Sequence, residues 1–237
     1  MKSNHYIGKS AYRGDVAINY DRDRVVEPVW EEEQSWVRDW SKCIPLGATL
    51  LDLPAGTGRF LEIWKSRGAR VNAVDISEDM LNALKKRNSA DGENLIIECA
   101  DAESLPHKSD SFDFVICWRL VHLLPPIPAE RVLCELARVC RGQIILQVFN
   151  VYRGGLIARK LRAIRQRVGK LLRSTPSNRR IDDSSTPWSH IPSHPQTESN
   201  IFELISRCGL RLKSAQTIGV YQGTLTRVYI LERRLDV

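Results

Sequence analysis

The stretch Leu50-Leu51-Asp52-Leu53-Pro54-Ala55-Gly56-Thr57-Gly58-Arg59-Phe60-Leu61 decides how this chain folds. A short apolar run ends in an acid, passes through a tight glycine-bearing turn and opens into a helical pattern. That order reads as a strand, a loop and a helix N-terminus. Glycines in such a loop let a ligand approach the backbone closely. An ordinary strand-to-helix turn uses the same residue types, so the meaning of this one depends on what surrounds it.

The neighbouring segments repeat the pattern. Val71 to Asp75 reads as a second strand ending in an acid, and Ser77, Glu78 and Asp79 then make a helix start. An acid at that strand end suits a bidentate hydrogen bond to two ribose hydroxyls. Leu95 to Ala102 reads as a third strand ending at Asp101, and Ser111 to Cys117 as a fourth. Ala129 to Cys140 is helical by pattern, with Gly142 as its stop, and Gln143 to Phe149 is the fifth strand. Glu198 to Cys208 is a later helix closed by Gly209, and Leu210–Gly219 and Leu225–Arg233 are two strands joined around Gln222-Gly223. Strands alternating with helices predict an α/β fold: a Rossmann-like doubly wound sheet, mostly parallel with a C-terminal antiparallel hairpin, in three α/β/α layers.

These residues together resemble class I S-adenosylmethionine (SAM) methyltransferases of the small-molecule type. The family's first motif is acid-x-Gly-x-Gly-x-Gly; Asp52, Gly56 and Gly58 match it, and Pro54 replaces the first Gly. The Leu105-Pro106 pair and the Phe112-Asp113-x-Val115 pattern are also habits of that family. The rival is a nicotinamide-binding turn, which needs Gly-x-Gly-x-x-Gly. Counted from Gly56, its third glycine falls on bulky Leu61. The resemblance implies SAM as cofactor, held by Asp52, Pro54, Ala55, Gly56, Gly58, Asp75, Ile76, Met80, Asp101, Ala102 and Cys117. In it Asp52 faces the ligand's amino group, Asp75 the ribose and Asp101 the adenine. The Asp15–Arg24 segment resembles the helix that caps SAM in these enzymes, with Tyr20 and Arg24 on one helix face as the residues that close over the methionine end. A surface helix packed on the core is the other reading of it.

Composition bounds the rest. The chain has 237 residues, a formal net charge of +7 and the apolar and charged fractions of a globular protein. No run approaches the ~20 apolar residues of a membrane span, and Met1 to Ser10 lacks a signal-peptide core. The cysteines Cys43, Cys99, Cys117, Cys134, Cys140 and Cys208 show no paired metal spacing and read as reduced, mostly buried thiols of a cytoplasmic protein. The expected organisation is one domain: residues 1–48 an N-terminal cap, 49–150 the SAM-binding core, 151–197 a basic helical insertion and substrate cover, and 198–237 a closing helix and hairpin.

That insertion departs from a plain methyltransferase. From Val151 to Ile181 there are ten Lys/Arg residues and no acid; removing ten charges from +7 leaves −3 elsewhere, so the basic character is local. Ile157, Leu161, Ile164, Val168 and Leu171 make one helical stripe. A basic helix with an apolar stripe suits an anionic membrane surface or another anionic partner, and equally a solvated face packed on the core. The Pro-rich run Thr186 to Pro195 then reads as a loop, placed where the resembling family covers its substrate. His190 and His194 in it, and His122 after the fourth strand, are the candidate general bases; solvent-facing loop residues and a core histidine are the alternatives.

The implied chemistry is direct displacement, with the acceptor's oxygen or nitrogen attacking an already activated methyl. Cys117-Trp118-Arg119-Leu120 lacks the Pro-Pro-aromatic signature of base-amine methylation, and no acid cluster suggests a metal. The acceptor expected is small, glycan- or lipid-linked, and anionic. The alternative is an RNA-binding or RNA-modifying protein on the same fold; only Tyr152 offers an aromatic stacking surface in the basic stretch, which makes nucleic acid the weaker of the two.

Overall fold

The computed structural model describes residues 11–27, 29–88, 94–151, 194, 196–221 and 223–234. Its centre is a seven-stranded sheet in the order β3-β2-β1-β4-β5-β7-β6. The strands are β1 (Thr49–Asp52), β2 (Arg70–Asp75), β3 (Leu95–Cys99), β4 (Phe112–Cys117), β5 (Cys140–Val151), β6 (Leu210–Tyr221) and β7 (Thr224–Arg233). The first five pair in parallel, and β7 runs antiparallel to both β5 and β6. This is the doubly wound sheet with a closing hairpin that the sequence predicts. Central strands covered on both faces need apolar residues in continuous runs. Leu50, Leu51, Val115, Ile116, Ile145 and Leu146 supply them and are wholly buried.

Helices cover both faces. α1 (Asp15–Arg24), α2 (Trp30–Trp40), α3 (Leu61–Ser66), α4 (Glu78–Arg87), α5 (Pro126–Val139) and α6 (Glu198–Arg207) follow in chain order. On one face α2, α3 and α4 bury Val37, Leu61, Trp64 and Leu84 against Leu50, Val71 and Ile116. On the other, α5 and α6 bury Val132, Leu133, Leu136 and Ile201 against Leu51, Val115 and Leu146. The order of strands reverses between β1 and β4, where parallel sheets open a crevice beyond their C-terminal ends.

Three expectations need correction. Gly142 does not stop a helix: α5 ends at Val139, β5 begins at Cys140, and Gly142 lies inside that strand. A Cβ there would stand 2.2 Å from the Asp113 carbonyl oxygen, so the glycine is required by the close approach of two backbones. The thiols are not all reduced, because Cys134 of α5 and Cys208 after α6 form a disulfide. Nor are they mostly buried, since Cys43 and Cys99 are exposed while Cys117 and Cys140 are buried. The basic stripe from Ile157 to Leu171 lies outside the described residues.

Candidate functional site

The glycine loop forms because the end of β2 holds it. The Asp75 carboxylate, at the end of β2, accepts the Gly56 N–H at 2.8 Å and the Ser77 N–H at 2.9 Å. The Ala55 N–H donates to the Val74 carbonyl at 2.8 Å. Gly56 has a φ of 55° and Gly58 of 83°, a left-handed backbone that glycine adopts without a steric cost. A Cβ on Gly56 would meet nothing within 4 Å, so open space lies against the loop backbone. A Cβ on Gly58 would sit 3.0 Å from Leu84. Gly58 therefore serves the packing of loop on helix. Ser77 caps α4 by accepting the Met80 N–H at 3.3 Å.

Asp52 and Asp75 line one cleft of about 810 Å³ with Pro54, Ala55, Gly56, Thr57, Ile76, Met80 and Tyr20. A contiguous recess beyond Pro54, Ile76 and Leu120 is lined by Asp101 and Ala102. Asp52 is 3 % exposed and accepts the Trp64 indole N–H at 2.9 Å. Burial pushes its carboxyl up to about 7; the Trp64 hydrogen bond opposes that shift and the nearby Asp75 adds to it. Asp75 is raised by burial too, against the pull of its backbone N–H donors. Two buried acids at one end of a cleft favour a cationic, hydroxyl-bearing ligand.

The same cleft also has an aromatic and basic lining. Trp30, Phe60, Trp118, Arg59, Arg119, Leu120 and Leu123 form it. Behind it lies a buried ionic cluster. Glu33 of α2, with no exposed surface, meets Arg59 at 2.6 Å and Arg119 at 2.9 Å. Glu27 meets Arg119 at 2.6 Å and Arg24 at 2.5 Å. Arg59 lies over the Trp30 ring, 3.5 Å from its centroid, and donates to the Trp30 carbonyl at 2.8 Å. Arg119 has a φ of 56° although it is not glycine, and its N–H is fixed by the Gln147 side-chain oxygen at 3.0 Å. Such backbone conformations cluster at functional sites.

The sequence model of the family described as "Methyltransferase domain" matches residues 50–143, from β1 to β5. Residues 50–143 are thus similar to a methyltransferase domain. Over 145 residues it is 34 % identical to the demethylmenaquinone methyltransferase of Clavibacter sepedonicus, covering 60 % of this chain and 58 % of that protein. Over 101 residues it is 36 % identical to the malonyl-[acyl-carrier protein] O-methyltransferase of Serratia marcescens, covering 42 % of this chain and 37 % of that one. The chain thus spans only part of the length of these relatives. In fold it is similar to the 1,6-didemethyltoxoflavin-N1-methyltransferase of Burkholderia thailandensis, whose crystal structure holds S-adenosylhomocysteine. That match has a TM-score of 0.66 at 17 % identity and covers 100 % of this chain and 92 % of the other.

Around this cleft the expected residues divide. Asp52, Pro54, Ala55, Gly56, Asp75, Ile76, Met80 and Tyr20 come together on the cleft, and Asp101 and Ala102 on the adjoining recess. Cys117 is fully buried below the cleft floor, with its thiol pushed up to about 12 by burial. Arg24 is in the cluster behind the cleft, paired with Glu27. His122 is a correction: it lies behind the wall, its ring 4.4 Å from that of Phe149, rather than on the cleft. Burial, then Arg119 and Arg24, push its imidazole down to about 3, too weak a base for neutral pH. His194 donates its backbone N–H to the His122 carbonyl at 2.6 Å and is not among the cleft-lining residues. His190 lies outside the described residues.

Four residues of the cleft's aromatic and basic lining went unread in the sequence. Arg59 and Phe60 lie late in the quoted glycine stretch and Trp118 and Arg119 just after the fourth strand, but nothing local marks them as cleft residues. Their role depends on Glu27 and Glu33 arriving from the N-terminal segment, 92 and 86 residues from Arg119. Among the described residues no group of three or more His, Cys, Asp or Glu side chains is placed to hold a metal. No described helix is long and apolar enough to cross a membrane.

Proposed function

We propose that this chain transfers the methyl group of S-adenosylmethionine to an oxygen or nitrogen of a small, glycan- or lipid-linked acceptor of anionic character, by direct displacement. The observation that carries the reading is the Gly56–Asp75 hydrogen bond, which sets an open glycine backbone beside a buried acid in the same cleft as Asp52. The residues fit the cofactor. Asp52 has the charge to meet an ammonium group and Asp75 has lone pairs left for two ribose hydroxyls. Asp101 and Ala102 line a recess suited to the adenine edge. When bound, the sulfonium supplies a methyl group that needs no further activation.

The chain's own part is alignment and exclusion. Tyr20 and the aromatic wall of Trp30, Phe60 and Trp118 narrow the cleft and keep water from the reacting atoms. The buried cluster ties α2 to the loop after β1 and to the turn after β4, so the wall is held to the cofactor end by Arg59 and Arg119. With His122 neutral behind the wall, the reading favours an acceptor already ionised as it binds. The ten basic residues between Arg153 and Arg180 favour an anionic acceptor or a peripheral anionic surface as well. The related proteins named above act on a quinone precursor and a carrier-linked acid by their names, which is compatible with that chemistry. We take the chain as one catalytic unit in which residues 1–48 cap the core.

A screen with methyl-labelled S-adenosylmethionine tests this against matched anionic and neutral acceptors, each also run with a variant carrying Gln at Arg159, Lys160, Arg162 and Arg165. Label transfer to anionic acceptors, weakened in the variant and by salt, is the expected result. Transfer to neutral acceptors only, or equal turnover by both proteins, would count against the anionic reading.

A further inference from the structure

We infer that Trp118 and Arg119 form a recognition site for an ionised oxygen on a planar, aromatic-sized acceptor. The inference deepens the proposed methyl transfer and rests on it for the word acceptor, not for the existence of the binding site. Four observations support it. The Trp118 side chain lines the cleft, is 5 % exposed, and its indole N–H finds no hydrogen-bond acceptor among the described residues. A buried donor without a partner is costly, and native proteins rarely keep one idle.

Arg119 is the next residue, lines the same cleft, and is itself buried. One of its terminal nitrogens, Nη2, lies 2.9 Å from Glu33 yet makes no well-directed hydrogen bond. Its backbone is held in the left-handed region, which fixes where the guanidinium starts. Arg24, Arg59 and Arg119 gather with Glu27 and Glu33 in the cluster around it. The acids that would prefer a cation, Asp52 and Asp75, are tied instead to Trp64 and to the glycine loop at Gly56.

Shape comes from the rings. Phe60 and Trp118 meet edge to face with centroids 5.4 Å apart, and Trp30 closes the same wall beneath Arg59. A flat conjugated group can lie against that aromatic wall, where stacking is favourable. Its ionised oxygen would accept from the Trp118 N–H beside Arg119. A charge-assisted hydrogen bond of that kind is worth about a ten-fold change in affinity or more.

Benzoate and its neutral counterpart benzamide are suitable probes, titrated calorimetrically into the full chain with and without S-adenosylhomocysteine. Benzoate is expected to bind at least about ten-fold more tightly than benzamide. Trp118→Phe, which keeps a ring and deletes only the donor, is expected to weaken benzoate about ten-fold and benzamide little. Equal affinity for the two probes in the wild type, or no benzoate binding, overturns the inference without reference to any variant. A folded Trp118→Phe that retains benzoate affinity does so too. A loss in that variant confined to S-adenosylhomocysteine would make the donor a cofactor contact and also overturn it. Failure of the wild type to bind S-adenosylhomocysteine would sink the proposed methyl transfer, while the benzoate–benzamide comparison would still decide this site.

Discussion

Asp52 shows how a single buried acid is held at a cost in stability. It is buried, its hydrogen bond from Trp64 is the main compensation, and its carboxyl is raised from 3.8 to about 7. A raised acid pKa means that the folded protein holds a proton the unfolded chain has lost between about pH 4 and 7. Stability therefore falls as pH rises through that window, and above it the penalty is fully present. Asp52→Asn should raise the melting temperature of the ligand-free protein at pH 8 by an amount reflecting up to about 4 kcal/mol, and change it little near pH 4. The same variant should bind S-adenosylhomocysteine more weakly. An unchanged or lower melting temperature at pH 8 would show that Asp52 is not strained in this way.

The residues at the cofactor end were readable because each lies in a local pattern. An apolar run followed by an acid marks Asp52 and Asp75, and a serine before two acids marks the cap at Ser77. Arg119 was not readable. Its partners Glu27 and Glu33 are far away in sequence, and no periodicity joins them. The same holds for His122, whose neighbours Leu120 to Leu124 allowed either a site or a core residue. Only the tertiary contact with Phe149 separates the two.

At the scale of elements, the glycine at 142 separates local from tertiary causes. A glycine just after a helical run reads as a C-cap. Here Val139 ends the helix without it, and β5 starts directly at Cys140. The residue is glycine because β4 presses the Asp113 carbonyl against it, where β4 and β5 shift register between Phe112 and Phe114. Gly142→Ala should therefore destabilise the protein by about 1–3 kcal/mol, the scale of overpacking in a tight site. Urea midpoints of the two proteins give the comparison. A C-cap glycine in open space would tolerate the change at lower cost, so a shift of only a few tenths would contradict the account. Strand identity was otherwise legible, because parallel central strands need continuous apolar runs. The ends of β5 were not: Asn150 and Val151 extend the strand by pairing with β7, which no local pattern reports.

Across the whole molecule, α1 is bound to the core at several points. Asp21 accepts the Thr57 hydroxyl at 2.7 Å and pairs with Arg87 of α4, and the Gly14 N–H donates to Asp79 at 2.8 Å. The N-terminal segment thus meets both the glycine loop and the helix after β2, which places Tyr20 over the cleft. At the other side of the sheet, the Cys134–Cys208 disulfide joins α5 to the end of α6 across a separation of 74 residues. Closing a loop of that length restricts the unfolded chain by about 4 kcal/mol in the chain-entropy account. Reductant should lower the melting temperature of the wild type and leave a Cys134→Ser variant unchanged. Equal responses by the two proteins would mean that this pair contributes nothing. Cysteine spacing alone did not reveal the bridge, since only the packing of α6 beside α5 brings the two side chains together.

The central claim is that the glycine loop, Asp52 and Asp75 form an S-adenosylmethionine site. Isothermal calorimetry with S-adenosylhomocysteine tests it most directly, on the wild type and on Asp75→Ala, with melting curves to show that both are folded. The account predicts saturable one-site binding by the wild type and a loss of about 1.5–3 kcal/mol in the variant, the value of a charge-assisted hydrogen-bond pair. No binding by the folded wild type, or equal binding by both proteins, would contradict it.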